Sequence, residues 1–217
     1  MTRSVAPRAK GCLVACAFLA GSTLGGCRNQ AAADALPTPA VTYSPDRISF
    51  APTRLPLVEA ATGSRPAIAS ILNVSEPLTY GEYKWNEEGV PKGRTWILVN
   101  LKAQTLSVFR GMNEIGTAVT LYGVDRKPTP LGRFKVLGKS EDHWSSLYDA
   151  PMPYTLQLTG DGVAIHGSDV KEGAGTHGCL GVPLDFGRHL FESVSVGDEV
   201  LIVKDATGDK PTLLTSG

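Results

Sequence analysis

The chain has 217 residues, 42% of them hydrophobic and 19% charged, which suits one domain of modest core with appendages. Twenty-one basic side chains balance 21 acidic ones, and no basic block stands out. That balance excludes the electrostatic footprint of a nucleic-acid binder, so no nucleic-acid partner is expected.

The first 26 residues predict an export signal. Arg3, Arg8 and Lys10 form a positive start, and Gly11 to Gly21 is a short apolar run. That run falls below the roughly 20 apolar residues of a spanning helix, so a cleaved signal is expected. Leu24 to Cys27, "LGGC", resembles the lipobox of bacterial lipoproteins. The resemblance implies lipidation of Cys27, a mature chain held to a membrane by its lipid, and a location in the periplasm or cell envelope. Ordinary cleavage after Ala31 to Ala33 is the alternative and would discard Cys27. From 27 to 66 the chain is rich in Ala, Pro and Thr and predicts a tether. Proline-rich chain extends about 3.1 Å per residue, a reach on the order of 100 Å. Ile48, Phe50, Leu55, Leu57 and Val58 are too apolar for a pure linker, so part of it is expected to dock on the domain. Residues 67–94 form an N-terminal extension in which the turn-rich stretch from Tyr80 to Arg94 has no assignable element.

From Thr95 the pattern becomes β-prone. "TWILVNL", "TLSVFR" and "EIGTAVTLYG", separated by "KAQ" and "GMN", predict an antiparallel meander. "GRFKVLGK" alternates Phe134 and Val136 with Arg133 and Lys135, a strand with one buried face. Ser140 to Tyr154 reads as a functional loop whose His143, Trp144, Tyr148 and Tyr154 would rim a groove or cover the core edge. "GVAIHG" is a short strand ending at His166. Pro183 to Val194 predicts a helix, with Phe186, Leu190 and Val194 four apart and Gly187 weakening it. "EVLIVK" is a closing strand, and 205–217 is a tail. The domain from 95 to 204 is therefore expected to be mainly β with one or two short helices.

Cys179 is the only thiol after residue 27, so the exported domain cannot form an internal disulfide. A lone cysteine is often a small buried hydrophobe. Here its flanks are polar or glycine, which favours use as a nucleophile. The thiolate is the reactive form, and a neighbouring histidine can take the proton and hold a thiolate–imidazolium pair. His177 is two residues away and would point the same way in extended chain, too close for a well-aligned pair. His166 stands across a glycine-rich loop that can fold back, and is the expected base. Gly178 allows a sharp turn, so that the N–H groups of Gly178 and Cys179 would bind an oxyanion. Zinc on His166, His177, Cys179 and Asp169 is the competing reading, disfavoured because structural zinc spacings are absent.

The run His166, Gly167, a loop, then Thr176, His177, Gly178 and Cys179 resembles the signature of the L,D-transpeptidases, the YkuD family. "KPTPLGRFKV", "MPYTLQLTGDGVAIHG", "WILVNLKAQTLSVFRG" and "GDEVLIV" resemble the family's other blocks, in order, over about 95–204. The resemblance implies a β-sandwich or barrel-like catalytic domain acting on peptidoglycan stem peptides. Cys179 would attack the carbonyl between the diamino acid and the D-Ala of a stem tetrapeptide and form a thioester. His166 would shuttle the proton, oriented by the Gly167 carbonyl. His177, Gly178 and Cys179 would form the oxyanion hole, and Met152, Tyr154 and Thr176 would contact substrate. A stem amine would accept the acyl group in a 3→3 cross-link, no metal or organic cofactor would be needed, and carbapenems would acylate the enzyme. Gly181 departs from the family's frequent Arg or Asn, and the loop from His166 to Cys179 is short. These leave open transfer to a protein lysine, hydrolysis by water, or a wall-binding domain without turnover.

Overall fold

The computed structural model describes residues 41–52, 55, 66–123, 127–146 and 149–205. The export signal, Cys27 and the 206–217 tail lie outside them, as do Leu57, Val58 and Tyr148. The N-terminal strands are β1 (Val41–Tyr43), β2 (Arg47–Phe50), β3 (Ser70–Leu72) and β4 (Tyr83–Trp85). The central ones are β5 (Thr95–Asn100), β6 (Thr105–Arg110), β7 (Asn113–Val119) and β8 (Gly132–Lys135). The last are β9 (Gly138–Ser145), β10 (Ala150–Gln157), β11 (Ala164–Ser168), β12 (Leu180–Pro183), helix α1 (Leu184–Ser193) and β13 (Glu199–Val203).

The expected meander is present: β5, β6 and β7 pair antiparallel in sequence. The closing strand β13 inserts between β5, to which it is parallel, and β8, to which it is antiparallel. The whole sheet has the order β1-β2-β3-β7-β6-β5-β13-β8, with β4 also on β7. A second sheet has the order β12-β11-β10-β9. Ile97, Val99, Leu106, Val108, Ile115, Val200 and Ile202 from the first sheet pack with Leu156, Ile165, Leu180 and Val182 from the second. Phe186, Leu190 and Val194 complete that core from α1 and its end. The architecture is thus mainly β in two sheets, with one short helix among the described residues.

The tether expectation needs correction. Strands begin at Val41, and the unit that holds all described residues begins at Thr38. Leu98, Phe109, Leu201 and Val203 alternate with the inner core residues and so face outward from the first sheet. Ile48, Phe50 and Ile68 cover them. That is the docking expected of Ile48 and Phe50, and it explains why β5 and β13 read as near-continuous apolar runs: both faces are covered. Arg47 fastens the segment, donating to Glu114 O at 2.7 Å and Asn86 O at 2.6 Å, while the buried Glu114 carboxylate accepts the Leu72 N–H at 2.8 Å.

The loop expected from Ser140 to Tyr154 is a hairpin instead. β9 and β10 pair antiparallel from Ser145↔Ala150 to Gly138↔Gln157. Glu141 to Trp144 are exposed because β9 is an outer strand, so no buried face imposes alternation. Pro151 and Pro153 are tolerated because β11 pairs β10 only at Leu156 and Gln157. Tyr154, at φ 56°, interrupts the ladder between them.

Helix α1 follows the Phe186–Leu190 spacing, with Pro183 at its N-cap rather than inside its first turn. Gly187 serves contact: a Cβ there would stand 3.2 Å from Gly167 Cα, so the helix lies directly on the β11 backbone. The last turn carries no basic residue. Lys139 of β9 supplies one, donating to the carbonyls of Phe191 and Val194, the latter at 2.6 Å, with its ammonium 4.3 Å from the Phe191 ring centre.

Candidate active site

β11 and β12 run parallel, with Ile165 beside Leu180 and His166 beside Gly181. Ile165 and Leu180 enter the core. By alternation, Ala164 and His166 share the opposite face with Cys179 and Gly181. Cys179 stands one residue before the β12 ladder, next to Ala164 and diagonal to His166. The expected nucleophile and base are therefore brought to one face of neighbouring strands. His166 lies within β11 rather than at its end, since the strand continues to Ser168.

His166 Nδ1 is 2.9 Å from the carbonyl oxygen of its own neighbour, Gly167. A carbonyl only accepts, so Nδ1 carries the proton and Nε2 is left as the basic nitrogen. Burial pushes the imidazole below its ordinary pKa, the Gly167 carbonyl opposes this, and His143 adds to the lowering. Cys179 moves the other way. Burial pushes its thiol up, against the Ala164 N–H and the Lys127 charge. Both directions disfavour the charged forms and so weigh against the thiolate–imidazolium pair expected from the sequence. The thiol donates to Gly162 O at 3.5 Å. Only 8% of Cys179 is exposed, because Met152 and Ala164 pack around it, so the sulfur is more covered than an open cleft floor would leave it.

The turn before the nucleophile is held on three sides. Gly178 is buried at φ 101°, which glycine adopts without strain. This kink separates its neighbours: His177 is exposed while Cys179 is buried, so they do not point the same way as extended chain would have them. Thr176 Oγ1 donates to Cys179 O at 2.5 Å and closes the turn. Thr129, 4% exposed, donates through Oγ1 to Gly178 O at 3.1 Å and accepts the Gly123 N–H at 2.9 Å. Gly123 can only be glycine here, since a Cβ would lie 2.3 Å from Gly178 N and 2.4 Å from Lys127 O. Leu121 and Gly181 exchange backbone hydrogen bonds of 2.8 and 3.0 Å. These bridges divide the expected strand "EIGTAVTLYG": β7 ends at Val119, and Leu121 and Gly123 fasten the nucleophile segment. The N–H groups of Gly178 and Cys179 lie before the β12 ladder begins.

The substrate-contact candidates separate. Met152 packs against Cys179, whereas Thr176 braces the turn and the Tyr154 ring lies 5.9 Å from that of Phe191 on the helix. Asp169, a candidate metal ligand, pairs at the surface with Lys171 at 2.5 Å. A groove of about 570 Å³ borders the site at Gly167 and Ser168 and runs past Tyr83, Pro153 and Leu184, without reaching Cys179. Thr129, Gly123 and Lys127 were not among the sequence candidates. For Thr129 and Lys127 the signal was "KPTPLG", which reads first as a turn; Gly123 closes the apolar run "EIGTAVTLYG".

Residues 94–202, half of the chain, match the YkuD family, described as the L,D-transpeptidase catalytic domain. L,D-transpeptidase 1 of Mycobacterium tuberculosis is 25% identical over 134 residues, 54% of this chain and 53% of the relative. The chain thus spans about half the length of the curated relatives it matches. An L,D-transpeptidase structure from Stackebrandtia nassauensis aligns with TM-score 0.49 at 26% identity, over 54% of this chain and 58% of that one. A mutant L,D-transpeptidase from Enterococcus faecium aligns with TM-score 0.47 at 27% identity, over 51% and 50%. With the match covering β5 through β13 and the segment that holds Cys179 and His166, the chain belongs to the YkuD family of L,D-transpeptidase catalytic domains.

Proposed function

We propose that the domain is a cysteine acyltransferase of the cell envelope that acts on peptidoglycan stem tetrapeptides. The observation that carries this reading is the 2.9 Å contact between His166 Nδ1 and Gly167 O. The Nδ1–H is committed to Gly167 O, so Nε2 is a neutral base on the face that Cys179 shares.

The thiol turns from Gly162 O to the imidazole and gives its proton to Nε2 as sulfur attacks the carbonyl between the diamino acid and D-Ala. Burial disfavours both charged forms, which favours proton transfer during attack over transfer before it. The N–H groups of Gly178 and Cys179, with that of His177, receive the oxyanion, and each such donor is worth about 2.7–4 kcal/mol. His166 returns the proton to the departing amine of D-Ala, leaving a thioester. It then takes a proton from an acceptor amine, which attacks the thioester and releases the thiol. Lipidation at Cys27 would hold the domain on a membrane.

Incubation with a carbapenem followed by intact-protein mass is the first test. An adduct on wild type that is lost in Cys179→Ala is expected; folded wild type without an adduct overturns the reading. Incubation with purified tetrapeptide muropeptides identifies the acceptor: dimers indicate transfer to a stem amine, and tripeptides alone indicate water.

A further inference from the structure

Positive charge at the nucleophile comes from a place the sequence motif does not indicate. Gly181, opposite His166, carries no side chain, and even a Cβ there would be tightly packed. A Cβ there would lie 3.1 Å from Ser168 Cβ, 3.2 Å from its Oγ and 3.4 Å from Leu121 Cβ. The other side of Cys179 does hold a cation. The Lys127 stem runs along Gly178: a Cβ on Gly178 would meet Lys127 Cγ, Cδ and Cε at 3.4, 3.6 and 3.6 Å. Lys127 Nζ donates to Asp161 O at 3.2 Å, and the next carbonyl, Gly162 O, accepts the Cys179 thiol at 3.5 Å. Ammonium and sulfur are therefore seated on consecutive carbonyls of one turn.

An ammonium has three N–H donors, and the contact with Asp161 O uses one of them. The Asp161 carboxylate also feels this charge, but its Oδ1 already accepts the Thr159 hydroxyl at 2.5 Å. The charge acts on the reacting atom as well, favouring the thiolate form of Cys179.

We propose that Lys127 is a specificity-determining residue of this site, its ammonium receiving a carboxylate of the donor substrate beside Cys179. The identity of the donor rests on the acyl-transfer reading above. In a stem tetrapeptide the free carboxylate of D-Ala is three bonds from the scissile carbon, so a cation next to the nucleophile meets it when the carbonyl is in place. The Gly181 departure is thereby offset by a cation on a different segment.

The test uses only the thiol, so its outcome is independent of whether the acyl transfer occurs. Alkylation of Cys179 in the full chain is followed by peptide mass with neutral iodoacetamide and with iodoacetate, which carries a carboxylate beside the reacting carbon. The ratio of the iodoacetate rate to the iodoacetamide rate is expected to fall about fivefold in Lys127→Met, the size of one partly screened charge pair. Lys127→Arg is expected to keep the ratio within about twofold of wild type. In wild type, high salt is expected to lower the ratio, a reading that stands even if Lys127→Met fails to fold. An unchanged ratio in Lys127→Met, equal slowing of both reagents, or a wild-type ratio indifferent to salt overturns the proposal.

Discussion

Thr129→Val tests whether the nucleophile turn is held in shape by one buried hydroxyl. The substitution keeps the branched shape and removes two hydrogen bonds, 2.9 Å from the Gly123 N–H and 3.1 Å to Gly178 O. Both partners are buried, so each loses its hydroxyl away from bulk solvent. A buried polar group left unsatisfied costs about 1–3 kcal/mol. Two of them put the loss near 3 kcal/mol, a fall of roughly 6–12 °C in Tm for a domain of this size. The same change frees the Gly178 peptide, and misplacement by about 1 Å can cost on the order of 100-fold in rate. Urea unfolding and the rate of carbapenem acylation are the two measurements, with Thr129→Ser expected to recover most of both. An unfolding free energy for Thr129→Val within about 0.5 kcal/mol of wild type would refute the reasoning.

Burial of both groups sets the pH profile of iodoacetamide alkylation: an ordinary thiol is only about 3% thiolate at pH 7 and Cys179 holds less, so the rate should climb in the alkaline range without a plateau between about pH 5 and 7. A plateau there would reveal a thiolate–imidazolium pair. The lowered His166 pKa means that the native state binds fewer protons than the unfolded chain, so stability should drop as pH falls below about 6.5. His166→Gln should remove that part of the slope in urea titrations, and a slope left intact would contradict it. Gly123→Ala places a Cβ against the backbone of Gly178 and Lys127, so its cost should exceed the about 1–3 kcal/mol of ordinary overpacking; a well-folded variant of wild-type stability would show the contact to be slack. Lys139→Met should lose about 1–2 kcal/mol in denaturant unfolding, because the last carbonyls of α1 lose their charged donor. No change would mean that water replaces it without cost.

The central elements were legible because their residues report burial directly. β5, β6, β7 and β13 are built from β-branched and aromatic runs, and Phe186 and Leu190 mark the buried stripe of α1. Cys179 and His166 could be singled out because one thiol after residue 27 and a histidine across a glycine-rich loop restrict the options; strand register puts them on one face. β9 was missed because an outer strand exposed along most of its length need not alternate. β1 to β3 were missed because three- and four-residue strands bracketed by prolines resemble a linker until the surface they cover is known.

Residue types and their local order determined the chemistry available here: a thiol, two imidazoles, a glycine beside the nucleophile, and strands enough for a two-sheet core. Tertiary structure alone decided that His166 Nδ1 meets the Gly167 carbonyl at 2.9 Å, which leaves Nε2 as the basic nitrogen of that ring. It also decided that the thiol is pushed toward its neutral form, because burial is a property of the packed neighbours and not of the cysteine. The roles of Thr129 and Lys127 belong to the same class. Hydrogen bonding and charge act over a few ångströms of space, and those ångströms separate residues some fifty positions apart in the chain.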